Sequence, residues 1–250
     1  MAVLYDITGR KNMSAIDATT APTTLIAVLC DLDGTLIDFE RDITAAFLNA
    51  LGHVTTEPLP DIADVAQHIG KSHPEMLSAL GFNISGDRFE AFRRMYLSYF
   101  AQYGTQYTQP FPGVRDTLSR FSDLAMGVVT TKAQDQAEMV LQKLNLTPYF
   151  QHVQGARPGI PLKPAPDSLI AALAALVCPP ERALMVGDTP ADILAGKAAG
   201  VRTCAVTYGF GRLDDLQACE PTYTVTSFDG LAAIIETLGG GIGHEVGLRS

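Results

Sequence analysis

The chain is short of positive charge. Lys and Arg total 18 against 27 Asp and Glu in 250 residues, a formal net charge of −9. That balance argues against nucleic acid as the main partner. It leaves room for a phosphorylated small molecule, because a bound cation and a few local lysines can set the field inside a pocket. Cysteine is scarce too. Cys30, Cys178, Cys204 and Cys219 are widely spaced and form no CxxC pair. A disulfide framework is therefore not expected, and buried thiols in a reducing cytoplasm are. No apolar run is long enough to span a membrane. The first 23 residues contain no apolar core followed by a cleavage site, so they do not read as a signal peptide. No repeat of solenoid period is present.

What the chain does have is a sizeable apolar fraction, 47%. Leu25 to Cys30 is a continuous apolar run, as expected of a central parallel strand covered on both faces. Residues 42–108 change character. Ile43, Phe47 and Leu51 fall at helical spacing. Two shorter helices are expected at 60–69 and 73–80. A longer one opens at Gly86, with Phe89, Phe92, Tyr96, Leu97 and Phe100 placed on one face. After Pro110 the alternation of strand and helix resumes. Strands are expected at 124–130, 150–154, 183–186, 201–207 and 223–225, with helices at 133–145, 166–177 and 190–199. That order means βαβ units and a parallel sheet, an α/β protein. The expected organisation is a flexible tail (1–23), an α/β core (24–41 and 109–238), an all-helical insertion (42–108) and a flexible C-terminal end (239–250).

Four stretches carry chemistry. The first strand ends in Asp31 and Asp33, one residue apart, followed by Gly34 and Thr35. Ligands in open α/β sheets bind outside the carboxyl ends of the strands. Two acids there can hold a hard cation, attack phosphorus or move a proton, although Asp is also common in turns after strands. In GVVTTK (127–132), Thr130 ends an apolar strand, where its hydroxyl can hold a phosphoryl oxygen or simply cap the next helix. In LKPAPDS (162–168), Lys163 stands between rigid prolines, as a fixed charge for a carboxylate and a phosphate or as a solvated side chain. In LMVGDTPAD (184–192), Asp188 follows a strand and Asp192 lies at the top of a helix. They suit a cation and its supporting shell, or a helix cap and its dipole.

Taken together, DLDGTLID (31–38), VVTTK (128–132), KPAPD (163–167) and GDTPADILAGKAAG (187–200) resemble the haloacid dehalogenase superfamily, in its phosphoglycolate-phosphatase-like branch. The resemblance covers roughly residues 25–235. It implies a Rossmann-like parallel-sheet core with an inserted helical cap. Asp31 would be the nucleophile and Asp33 the general acid/base. Thr130 and Lys163 would hold the phosphoryl group. Mg²⁺ would be held by Asp31, the Asp33 carbonyl and Asp188, with Asp192 nearby. Lys71 and His73 lie where related caps carry their substrate loop. Thr131 stands where relatives often have Asn.

The resemblance therefore implies a Mg²⁺-dependent phosphatase of small phosphorylated metabolites, phosphoglycolate or a sugar phosphate, acting in the cytoplasm as a monomer or homodimer. It implies neither nucleic acid nor membrane as a partner. A phosphoglucomutase-like isomerase and a catalytically silent binding protein on the same fold are the competing readings. Dehalogenase chemistry is disfavoured, since expelling halide needs no acid at Asp33.

Overall fold

The computed structural model describes residues 24–69 and 72–239. The expected N-terminal tail, residues 240–250, Gly70 and Lys71 lie outside them.

In chain order the first elements are β1 (Ala27–Cys30), β2 (Ile37–Asp38), α1 (Glu40–Val54), α2 (Ile62–Ala66), α3 (His73–Ala79), α4 (Gly86–Tyr103) and β3 (Gln109–Pro110). Then follow α5 (Val114–Arg120), β4 (Ala125–Ala133), α6 (Gln134–Lys143), β5 (His152–Ala156), α7 (Asp167–Ala175) and β6 (Ala183–Gly187). The chain closes with α8 (Pro190–Ala198), β7 (Arg202–Val206), α9 (Leu213–Ala218), β8 (Tyr223–Val225) and α10 (Leu231–Thr237). The chain divides into two compact units, one from Ile37 to Gln109 and one formed by the segments on either side of it.

The larger unit holds a six-stranded sheet in the order β5-β4-β1-β6-β7-β8. Every pairing is parallel. The chain builds outward from β1 to β4 and β5, then returns to β6 and proceeds the other way. Strand order thus reverses beside β1, the place where an open α/β sheet leaves a crevice at its carboxyl edge. All four residues of β1 are buried, as expected of a strand covered on both faces. One face packs Leu29, Val129 and Met185 against Leu169, Ala172 and Leu173 of α7 and Ala195 of α8. Cys30, Cys178 and Cys204 are buried free thiols.

The smaller unit is helical between its two short edge strands. Its core gathers Phe47 and Leu51 of α1, Val65 of α2, Met76 and Leu77 of α3 and Phe92 of α4. Phe47 and Phe92 meet edge to face with ring centroids 5.2 Å apart, a preferred aromatic geometry. Asp42, buried in α1, accepts the Tyr107 backbone N–H at 3.1 Å and the Thr108 hydroxyl at 2.6 Å. It ties the first helix to the segment that closes the unit. Leu97 does not join the apolar face expected of α4: it is 59% exposed. It follows Tyr96 by one residue, a turn of about 100° around the helix, which carries it off the stripe that Phe89, Phe92 and Tyr96 share. Among the described residues, no helix is long and apolar enough to cross a membrane.

Candidate active site

Three adjacent strands deliver the site. β1 pairs Cys30 with Val128 of β4 and with Val186 of β6. Asp31, Thr130 and Asp188 therefore emerge side by side at the carboxyl edge. Asp31 extends the ladder, its N–H donating to the Val186 carbonyl at 2.9 Å. This is the strand-end placement that the sequence pattern anticipated.

Lys163 comes from the loop before α7 and is nearly fully buried. Its ammonium donates to Asp31 Oδ1 at 2.8 Å, to Asp192 Oδ1 at 2.5 Å and to the Val129 carbonyl at 2.7 Å. A lysine ammonium has three donors, and here all three are engaged. Burial alone would lower the Lys163 ammonium, but Asp192 and Asp31 outweigh it and hold its pKa above the ordinary lysine value. Burial pushes the Asp31 carboxyl up to about 8; Lys163 opposes that rise, while Asp192 and Asp188 add to it.

Asp192 serves two partners. Its Oδ2 accepts the Thr189 N–H at 3.0 Å and the Thr189 hydroxyl at 2.7 Å. This is the capping box of α8, with Pro190 at the first helical position, and it satisfies donors that a helix start leaves unpaired. Thr189, and not Asp188, is thus the cap of α8, and Asp192 closes the capping box rather than only facing the helix dipole. Its second duty, holding Lys163, is not encoded locally. Gly187 makes room for it, since a Cβ there would lie 2.2 Å from the Asp192 Cβ.

Asp188 is held from both sides. Its Oδ1 accepts the Thr35 hydroxyl at 2.9 Å and its Oδ2 the Phe210 N–H at 2.9 Å. Tyr208 in turn donates to the Thr35 carbonyl at 2.7 Å. The segment after β7 is thus strapped to the loop after β1. Burial, then Asp192, raises the Asp188 carboxyl to about 6, against the pull of these hydrogen bonds. Gly34 permits the arrangement twice over. Its φ is +85°, and a Cβ would sit 2.3 Å from Asp188 Oδ2 and 2.7 Å from the Phe210 ring. Thr35, Tyr208 and Phe210 were not anticipated, because they act through contacts far apart in sequence.

Asp33 and Thr130 complete the group. Asp33 Oδ2 is paired with the Lys132 ammonium at 3.0 Å. Its Oδ1 is buried with no hydrogen-bond partner among the described residues. Burial raises the Asp33 carboxyl, with Lys132 pulling the other way. The Thr130 hydroxyl oxygen accepts the Lys132 backbone N–H at 3.1 Å. Thr131, by contrast, is exposed. Lys132 is the side chain that sequence reasoning passed over, although it stands inside the GVVTTK stretch.

The residues suit a hard cation. Asp31, Asp188 and Asp192 each offer a carboxylate oxygen, all within 4.8 Å of one another. Three buried carboxylates surround one buried ammonium, which leaves a deficit of positive charge, and every donor is an oxygen. Asp31 Oδ1 and Asp192 Oδ1 both face the Lys163 ammonium, whereas Asp188, among the described residues, meets only the Thr35 hydroxyl and the Phe210 N–H.

His73 lies in the smaller unit at the start of α3, after a Ser72–Glu75 capping box. Its ring packs edge-on against Tyr96, centroids 4.3 Å apart, and against Phe92 at 5.5 Å. Burial lowers its pKa, and Arg93 lowers it further. Lys71 lies outside the described residues.

Residues 28–206 match the model of the haloacid dehalogenase-like hydrolases. A phosphoglycolate phosphatase of Aquifex aeolicus is 34% identical over 75% of this chain and 87% of its own length. The pyrophosphatase PpaX of Bacillus velezensis is 31% identical over 83% of this chain and 95% of its own. The tyrosine-protein kinase PtkA of Mycobacterium tuberculosis is 33% identical over 85% of this chain and 72% of its own. Among solved structures, a haloacid dehalogenase-like hydrolase from Streptococcus pneumoniae superposes with a TM-score of 0.72 at 28% identity, covering 84% of this chain and 98% of that one. On the family match over most of its length, and on relatives more than 30% identical over three quarters or more of it, the chain belongs to the haloacid dehalogenase-like hydrolases.

Proposed function

We propose that the chain is a Mg²⁺-dependent phosphatase of small phosphorylated metabolites working through an aspartyl-phosphate on Asp31. The observation that carries this reading is the Lys163 ammonium, fixed between Asp31 and Asp192 beside Asp188 at the carboxyl edge of the sheet. Lys163 favours the Asp31 carboxylate against the burial that raises it, and leaves Oδ2 of that residue for attack. Because its donors are taken, its contribution to the phosphoryl group is charge at close range rather than a hydrogen bond.

Asp31 attacks phosphorus and the bond to the leaving oxygen breaks, its electron pair passing to that oxygen. Asp33 gives the oxygen a proton from Oδ1, the atom with no competing partner among the described residues. The Asp33 carboxylate then takes a proton from water as that water attacks the phosphoenzyme, releasing phosphate and restoring Asp31. Thr130 accepts a hydrogen bond from the Lys132 backbone, and its own O–H would donate to a phosphoryl oxygen. Asp31, the Asp33 carbonyl and Asp188 would hold the cation, which when bound neutralises charge on the phosphoryl oxygens.

The leading substrate is phosphoglycolate, supported by the Aquifex aeolicus relative. Pyrophosphate is supported by the Bacillus velezensis one. Selectivity for a carboxylate on the leaving group is assigned to Lys71 on the sequence argument alone. The test is a panel of phosphorylated metabolites, with and without Mg²⁺, that includes phosphoglycolate, pyrophosphate and primed glucose 1-phosphate. Metal-dependent phosphate release from phosphoglycolate, lowered more by Lys71→Ala than release from an aryl phosphate, supports the reading. Isomerisation of glucose 1-phosphate without phosphate release overturns it.

A further inference from the structure

Lys163 is fully committed to its three acceptors, so it cannot also steer Asp33. A second lysine does. The Lys132 ammonium lies 3.0 Å from Asp33 Oδ2, and both side chains are mostly buried, 12% and 19% exposed. An ion pair so far out of water is held more firmly than a surface pair, because it is little screened. It fixes which oxygen of Asp33 is engaged and which is presented. Oδ2 is turned to Lys132. Oδ1 is buried, without a hydrogen-bond partner among the described residues, as an oxygen reserved for a reacting group would be. The same residue also anchors Thr130 through its backbone N–H. That second contact does not depend on the side chain, so substitution can separate the two roles.

We propose that Lys132 is a positioning residue for leaving-group protonation, holding Asp33 by Oδ2 so that Oδ1 faces the oxygen that departs from phosphorus. The proposal rests on the phosphatase reading above. In the step concerned, a bond forms between Asp31 and phosphorus while the bond to the leaving oxygen breaks with its electron pair. For this step Asp33 carries a proton on Oδ1 while Oδ2 still accepts from the Lys132 ammonium; the proton goes to the leaving oxygen, and the carboxylate that remains is the anionic half of the pair. An alkoxide needs the proton badly, whereas a nitrophenolate scarcely needs it. Loss of the hold must therefore cost an alkyl phosphate more than a nitrophenyl phosphate.

The test compares kcat/KM for phosphoglycolate and 4-nitrophenyl phosphate at saturating Mg²⁺ in the wild type, Lys132→Met, Lys132→Arg, Asp33→Asn and the Lys132→Met/Asp33→Asn double variant. kcat/KM reports the steps through leaving-group departure. Lys132→Met is expected to reduce the phosphoglycolate value on the order of tenfold more than the nitrophenyl value, a fraction of what a full general acid supplies. Lys132→Arg, which keeps a cation, should recover part of that difference. In the Asp33→Asn background the selective loss should vanish, as coupled residues require. Equal losses on both substrates, or a selective loss that persists without Asp33, would overturn the proposal while leaving the phosphatase reading standing. If wild-type enzyme releases no phosphate, or Asp33→Asn shows no substrate dependence, the reading beneath it fails first.

Discussion

Asp33 carries two jobs on different atoms, and substitution can part them. Its backbone carbonyl is the proposed cation ligand, while its carboxyl is the proposed acid. Asp33→Asn should lower turnover of an alkyl phosphate on the order of 10²–10⁴-fold. Mg²⁺ affinity, followed by calorimetric titration, should change little, and a collapse of metal binding would place the carboxylate on the cation. Gly34 makes the opposite case, a residue with no functional group that decides the site. A methyl there strains a left-handed backbone and meets Asp188 Oδ2 at 2.3 Å. Gly34→Ala should weaken Mg²⁺ binding and lower Tm together, since the strap through Thr35 and Phe210 must shift. Unchanged values for both would show that the loop yields freely. Asp31, Lys163 and Asp188 were legible in sequence because each follows a strand end or sits in a rigid turn; Thr130, expected at a strand end, lies inside β4, which runs on to Ala133. The hydroxyl of Tyr208 and the N–H of Phe210 were not, because nothing in a local pattern says which loop they will meet.

At the scale of elements, periodicity located the strands of the sheet within a few residues. Their ends moved for physical reasons. β4 continues to Ala133 because a register shift between Val129 and Ala133 lets it pair again with β5 at Ala156. The sequence reading contains no helix at α5, α9 or α10, six or seven residues each, although α2 and α3 are no longer and were expected. The helical unit shows how a polar residue joins an apolar core. His73 packs among Phe47, Phe92 and Tyr96, and its pKa in the folded protein lies below its ordinary value. A depressed histidine adds stability that is complete above the unfolded-state pKa, near 6.5. That contribution is lost as pH falls from there through the folded value, because the unfolded chain takes up the proton more readily. His73→Phe should therefore flatten part of the decline in Tm below about pH 6.5. Parallel profiles for the two proteins would mean that His73 titrates alike in both states.

Across the whole molecule, net negative charge and an anionic substrate are reconciled by local compensation. Lys163, Lys132 and the proposed cation would offset the acids at one edge of the sheet, while the rest of the surface need not attract phosphate. A ligand that binds only the folded chain stabilises it by mass action, about 2.7 kcal/mol at a hundredfold excess over Kd. Mg²⁺ should accordingly raise Tm, and Asp188→Asn should abolish that rise; an equal rise in both proteins would move the cation elsewhere. The central claim is covalent, and it is tested most directly at Asp31. Enzyme mixed with substrate and Mg²⁺ is quenched during turnover, treated with borohydride and digested for mass spectrometry. An aspartyl-phosphate is reduced to homoserine, whereas an unmodified aspartate is not. The account predicts homoserine at position 31, dependent on substrate and absent from Asp31→Asn; turnover with no reduction at that position, or with reduction at another acid, would contradict it.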